Sequence, residues 1–209
     1  MMAGTPTFGW KYVNGIVNYT VNSPTYSANY NTGANIWQQL VGTTNMGLNR
    51  IWFFNWPLGQ IFFNRYIYTT SCEEVNSPLM PNVEALTLPG YWLPLTFNQY
   101  ANLTQAQQGN LVNYLINNIT YVWYMNIVMN SNVVANHPIN IIQGILTHEW
   151  GHALGLAHTN NLASIMYPSS GTTGAGFVVL PTRTTTQLIG GVVQKVPSAN
   201  DLLALQTKY

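Results

Sequence analysis

The stretch HEWGHALGLAH, residues 148 to 158, limits the folds open to this chain more than any other. Three of the chain's four histidines lie within it, beside one of its five carboxylates. Residues four apart on a helix project from one face, so His148 and His152 offer two imidazoles to a single point in space. Glu149 then lies next to that point without having to occupy it. A catalytic zinc takes three protein ligands and keeps one position open, so a third ligand has to come from elsewhere in the chain. Gly155 suits the left-handed turn that ends a helix, and a chain reversing there brings His158 back to the same point. The motif therefore predicts a helix, a sharp glycine turn and a returning segment that together form a candidate metal centre.

Composition excludes several alternatives. Only 5% of the 209 residues are charged and the net charge is +1, so no basic field exists to hold nucleic acid or an anionic membrane. Asn, Thr, Tyr, Ser and Gln supply the polarity, and such a surface stays hydrated without ionisation. An extracellular setting and a lineage bias in amino-acid usage explain this equally well. The single cysteine, Cys72, rules out an internal disulfide and is expected to be a buried, inert thiol. The opening MMAGTPTFGWKY has no apolar signal core, so for a secreted protein the leader is expected to have been removed or replaced. Residues 111 to 129 are uncharged and long enough to span a bilayer. However, Asn113, Asn117, Asn118 and Asn126 would each bury an amide in hydrocarbon, so no membrane span is expected.

Along the chain, GIVNYTV reads as a strand ended by the turn at Asn22 to Pro24. Residues 29 to 41 read as a helix with Ile36, Trp37 and Leu40 inward. RIWFF (50 to 54) and QIFFNRYIYTT (60 to 70) look like two sheet strands joined by a tight connection. Residues 71 to 84, holding Glu73, Glu74 and Glu84 among Pro and Ser, read as a solvated loop. ALTLPGYWLPLTF is broken by prolines, as suits an edge strand. A helix is expected over about 104 to 119, capped by Thr104, and a second opens after NHPIN and stops at Gly155. His137 reads as a loop residue before Pro138. Residues 169 to 197 read as a long loop with one hairpin, and SANDLLALQTKY as a short terminal helix.

HEWGHALGLAH followed by SIMYP is similar to the HExxHxxGxxH signature and methionine turn of the metzincin metallopeptidases. The finer pattern HExGHxLGLxH with Met-Tyr-Pro resembles their matrixin (matrix metalloproteinase) branch, as does the closing SANDLLALQTKY. The resemblance implies an α+β, zincin-like fold. Its parts would be a twisted mixed sheet, two long helices, and a cleft above a small C-terminal lobe with a terminal helix. Residues 1–209 would form one catalytic domain, with an N-terminal subdomain to about residue 158 and a C-terminal one over 159–209. It further implies His148, His152 and His158 as zinc ligands and Glu149 as general base. Gly155, Met166, Tyr167 and Pro168 would support the site, with Met166 as the floor beneath the metal and Pro168 in the wall of the primed-side pocket. Asp201 would be the retained member of an acidic pair.

Matrixins usually carry structural zinc and calcium as well. Outside the motif this chain offers only His137 and four carboxylates, so a single catalytic zinc is expected and structural ions are not. The implied activity is endopeptidase cleavage of a protein or peptide bound in extended form, by a secreted monomer. The other reading is a binding or structural protein on a metzincin scaffold with little or no proteolysis. An intact Glu149 favours the enzyme, because a scaffold could lose the base and keep the metal.

Overall fold

The turn at Asn22 to Pro24 does end the first strand, β1 (Ile16–Asn22), and leads directly into helix α1 (Ser27–Val41). The Ser23 hydroxyl accepts from the Tyr26 amide at 2.9 Å and so satisfies an amide at the helix entry that would otherwise lack a partner. The computed structural model describes residues 5–10, 12, 16–41, 47–50, 69–90, 97–118, 124–168, 186–189 and 192–209. The aromatic runs at 51–54 and 60–68, read above as strands, lie outside the described residues.

Strands β2 (Gly47–Arg50), β3 (Thr69–Val75), β4 (Ala85–Gly90) and β5 (Tyr124–Asn130) complete a mixed sheet in the order β2-β1-β3-β5-β4. All neighbours run parallel except β4, which lies antiparallel to β5 at the edge. Short helix α2 (Phe97–Ala101) precedes α3 (Gln105–Asn118), which covers most of the predicted 104–119 span, and short helix α4 (Ser131–Val134) follows β5 directly. Thr104 and Gln107 cap α3 reciprocally: the Thr104 amide donates to Gln107 Oε1, and the Gln107 amide to the Thr104 hydroxyl. Helix α5 (Ile139–Ala153) carries the histidine pair. A hairpin, β6 (Thr186–Ile189) and β7 (Val192–Lys195), precedes the terminal helix α6 (Ala199–Lys208).

Two elements differ from the sequence expectation. Residues 71–75 belong to β3 and are not loop. Their polar side chains have partners: Glu74 accepts from Ser23, from the Thr25 hydroxyl and from the Thr25 amide. Glu73 accepts from Ser71 and Asn126. A strand whose carboxylates are bonded this way looks like a solvated loop from composition alone. The second is β5, which the sequence reading did not place. Met125, Ile127 and Met129 are fully buried, and so are Val128 and Asn130. A strand covered on both faces loses the alternation that identifies half-buried strands.

Helices α1 and α5 lock together through their tryptophans. The Trp37 indole donates to the Thr147 carbonyl at 2.8 Å, and the Trp150 indole to the Tyr30 carbonyl at 3.0 Å. Each such bond adds about 1 kcal/mol net, on top of the burial of two large rings. Close approach requires Gly33, where a Cβ would lie 2.9 Å from Trp150 Cδ1. The Tyr30 hydroxyl then reaches the sheet, donating to the Glu73 carbonyl at 2.6 Å. The edge of the Tyr19 ring meets Trp150 with centroids 5.1 Å apart. These contacts fasten α1 and the sheet against α5. Cys72, the expected inert thiol, is buried in β3.

Candidate metal centre

Helix α5 ends as its glycine predicts. The Leu156 amide donates to the Gly151 carbonyl and the Gly155 amide to that of His152, both at 2.9 Å, which is a Schellman closure. Gly155 has φ +94°, and a Cβ there would meet the Trp10 carbonyl at 3.1 Å and Lys208 Cε at 2.5 Å. Only glycine holds that turn comfortably. The N-terminal segment clamps it from outside: Phe8 N donates to Gly155 O, and Ala157 N to Pro6 O.

The turn brings the third imidazole to the other two. His158 Nε2 lies 3.1 Å from His152 Nε2 and 3.3 Å from His148 Nε2, and the ligating atoms of all three histidines fall within 4.8 Å of one another. The opposite ring nitrogens have defined partners. His148 Nδ1 is 2.6 Å from the Ile165 carbonyl, and His152 Nδ1 is 2.8 Å from the Leu156 carbonyl. A carbonyl only accepts, so each Nδ1 carries the proton and each Nε2 presents a lone pair. Lone pairs converging at this distance repel unless a cation lies between them. Four-coordinate zinc at about 2.05 Å from each nitrogen places the nitrogens roughly 3.3 Å apart. The donor set therefore fits that ion, with outer partners that fix ring orientation.

Electrostatics favour the same state. Burial lowers the pKa of His152 well below its usual value, with further lowering from His148 and His158. Burial, then His148, lowers that of His158 to about 4. Both imidazoles are therefore neutral at pH 7, the form that binds metal.

Glu149, on the next position of α5, is 7% exposed. Burial raises its pKa above the ordinary 4.5, against lowering by His148 and Thr87, while Glu84 pushes it further up. Below the histidines, the turn at 164 to 167 is pinned by Asp201, which accepts from the Ser164 hydroxyl at 2.5 Å and the Ile165 amide at 3.3 Å. Met166 is fully buried. It lies against the helix at Gly151, where a Cβ would be 2.3 Å from the Met166 sulfur and 3.1 Å from Trp37. Tyr167 and Pro168 are half-buried at the exit of this turn, and the chain beyond Pro168, up to 185, lies outside the described residues.

The matrixin family model matches residues 85–182, from the edge strand through α5 and past the methionine turn. Over these residues the chain is similar to the matrixins. No curated protein matches it. The match supports zinc-dependent peptidase activity as a class, and the matrixin-like domain has the mixed α+β architecture expected from its motif. No helix among the described residues is long and apolar enough to cross a membrane.

Two features of the matrixin-like site were not legible in advance. His137 lies in the bend before Pro138, the loop position expected of it, but its packing had no signal. It is buried, with Nε2 2.7 Å from a buried Glu84 carboxylate oxygen, and ties the entry of α5 to the start of β4. Thr87, on β4, reaches across to Glu149. No spacing rule links residues 53 or 62 positions apart, so neither contact had a sequence signal.

The packing at Gly151 carries its own prediction. Gly151→Ala inserts a methyl group where methionine and tryptophan already touch, so we expect a loss of about 2 kcal/mol. A chemical-denaturation midpoint equal to that of the parent would show that Met166 can move aside freely.

Proposed function

We propose that this chain is a zinc endopeptidase in which His148, His152 and His158 hold one catalytic ion and Glu149 is the general base. The observation that carries this reading is the convergence of three histidine Nε2 atoms beside a buried carboxylate. Zinc bound there supplies Lewis acidity, bringing the pKa of a coordinated water towards about 7 and polarising the scissile carbonyl. The rest of the chemistry belongs to the chain. Glu149 takes a proton from the attacking water and passes it to the amine of the departing peptide. His148 and His152 keep their orientation because each Nδ1 is anchored to a backbone carbonyl.

Substrate would lie extended along β4, whose outer edge is open to strand addition among the described residues. Residues to about 158 would form the upper subdomain and 159–209 the lower lobe, with Gly155, Met166, Tyr167 and Pro168 shaping the floor and wall between them. The enzyme would be a secreted monomer, with an uncharged polar surface that stays hydrated without ionisation. Zinc content by elemental analysis, paired with casein cleavage, tests the proposal. We expect one zinc per chain and no structural ion, with cleavage stopped by a chelator and restored by zinc. One zinc without cleavage of any peptide library would favour a binding role on the same scaffold. Absence of zinc from the folded, metal-supplemented protein would overturn the metal centre.

A further inference from the structure

The edge strand does more than offer a backbone to substrate. Thr87 Oγ1 lies 2.7 Å from Glu149 Oε2 and 2.9 Å from the Glu149 backbone carbonyl. One hydroxyl therefore touches both ends of the same residue, from a strand 62 positions earlier. Thr87 is itself fixed, because its backbone is paired opposite Ile127 in the β4–β5 ladder, and Ile127 is fully buried.

We propose that Thr87 is a positioning residue for Glu149, holding one carboxylate oxygen so that the other is presented to the water during peptide hydrolysis. This rests on the reading of Glu149 as general base. A glutamate has three rotatable side-chain bonds, and nothing in the HExxH spacing selects among their rotamers. The Thr87 hydroxyl makes that selection. It supplies a charge-assisted bond to Oε2, and the α5 backbone carbonyl beside it keeps the hydroxyl in register with the helix. The hydroxyl also remains satisfied through the cycle. It donates to the carboxylate when Glu149 is ionised. It turns to the backbone carbonyl, accepting from the acid, if Oε2 carries the transferred proton. No atom leaves or joins Thr87 in either state.

A purely structural tie between β4 and α5 predicts something different. Loosening the strand on which substrate lies would raise KM, whereas misorienting the base lowers kcat. The test is therefore steady-state cleavage of a fluorogenic peptide by zinc-loaded Thr87→Val, Thr87→Ala and Thr87→Ser, with Glu149→Gln alongside. We expect Val and Ala to lower kcat by about tenfold or more, with KM within about twofold and zinc content unchanged. Serine, which keeps the hydroxyl, should recover kcat to within about threefold. The Ala variant, smaller than threonine, covers the case in which Val fails to fold. A wild-type kcat in folded Val or Ala, a loss in Ser as large as in Ala, or a change confined to KM would each overturn the role of Thr87. If those outcomes occur while Glu149→Gln is inactive, only the positioning proposal fails. If Glu149→Gln still cleaves, the general-base reading fails with it.

Discussion

Glu149→Gln is expected to keep its zinc and lose peptide cleavage, with kcat falling by about 10³-fold. The glutamate sits among groups that suit a base and not a ligand. It is buried and flanked by His148 on the helix, and its carboxylate oxygen already accepts from Thr87 at 2.7 Å. Burial, the largest influence, pushes its proton affinity above that of an ordinary glutamate, which strengthens it as an acceptor. Glutamine has the same shape and keeps an amide oxygen for the Thr87 hydroxyl. The substitution therefore removes proton uptake while disturbing little else. Zinc should stay, because the three convergent nitrogens and their backbone anchors are untouched. Elemental analysis and kcat measured on one preparation decide the matter. Cleavage at parental rate would exclude Glu149 as the base, and loss of zinc with activity would make it a structural support of the ligand helix.

The parts of this molecule legible in its sequence are those where one local rule acts alone. Histidine spacing and a terminal glycine specify α5 and its Schellman turn, and the serine cap specifies α6, whose capping box with Asp201 is present. Prolines around 89 and 94 mark β4 as an edge. What could not be read depends on two distant segments at once. Strand β3 is polar because Tyr12, Ser23, Thr25 and Asn126 come from elsewhere to bond its Thr70, Glu73 and Glu74 side chains. Strand β5 lies between β3 and β4 in the sheet, and its consecutive residues from Met125 to Asn130 are all buried, which erases its alternation. The same holds at the site. The triad of histidines is local and readable, whereas Thr87 on Glu149 and Glu84 on His137 exist only once β4 lies against α5.

Asp201 is where stability and metal binding should fail together. Its carboxylate is completely buried. It accepts from the Thr5 and Ser164 hydroxyls at 2.5 Å, from the Ser198 amide and hydroxyl at 2.8 Å, and from the Ile165 amide at 3.3 Å. One side chain thus joins the N-terminal segment, the methionine turn and the start of α6. Asp201→Asn keeps the shape but turns an acceptor into an amide donor facing other donors. Buried donors left without acceptors are costly, so we expect a loss of about 3 kcal/mol and a fall in Tm of roughly 10 °C for a chain of this length. The consequence extends to the metal through a single residue. Ile165 gives its amide to Asp201 and its carbonyl to His148 Nδ1, so a turn released from Asp201 no longer holds His148 in place. Losing such an outer partner typically weakens metal affinity by about 10-fold to 100-fold. Ser198→Ala is the control, because it removes the helix cap and one hydroxyl donor to Asp201, costing about 1 kcal/mol, and leaves Ile165 on the carboxylate. Chelator competition on the two variants separates the effects. Weakened zinc in Asp201→Asn but not in Ser198→Ala would place the coupling in the turn, and equal zinc affinity in both would show that His148 is held without Asp201.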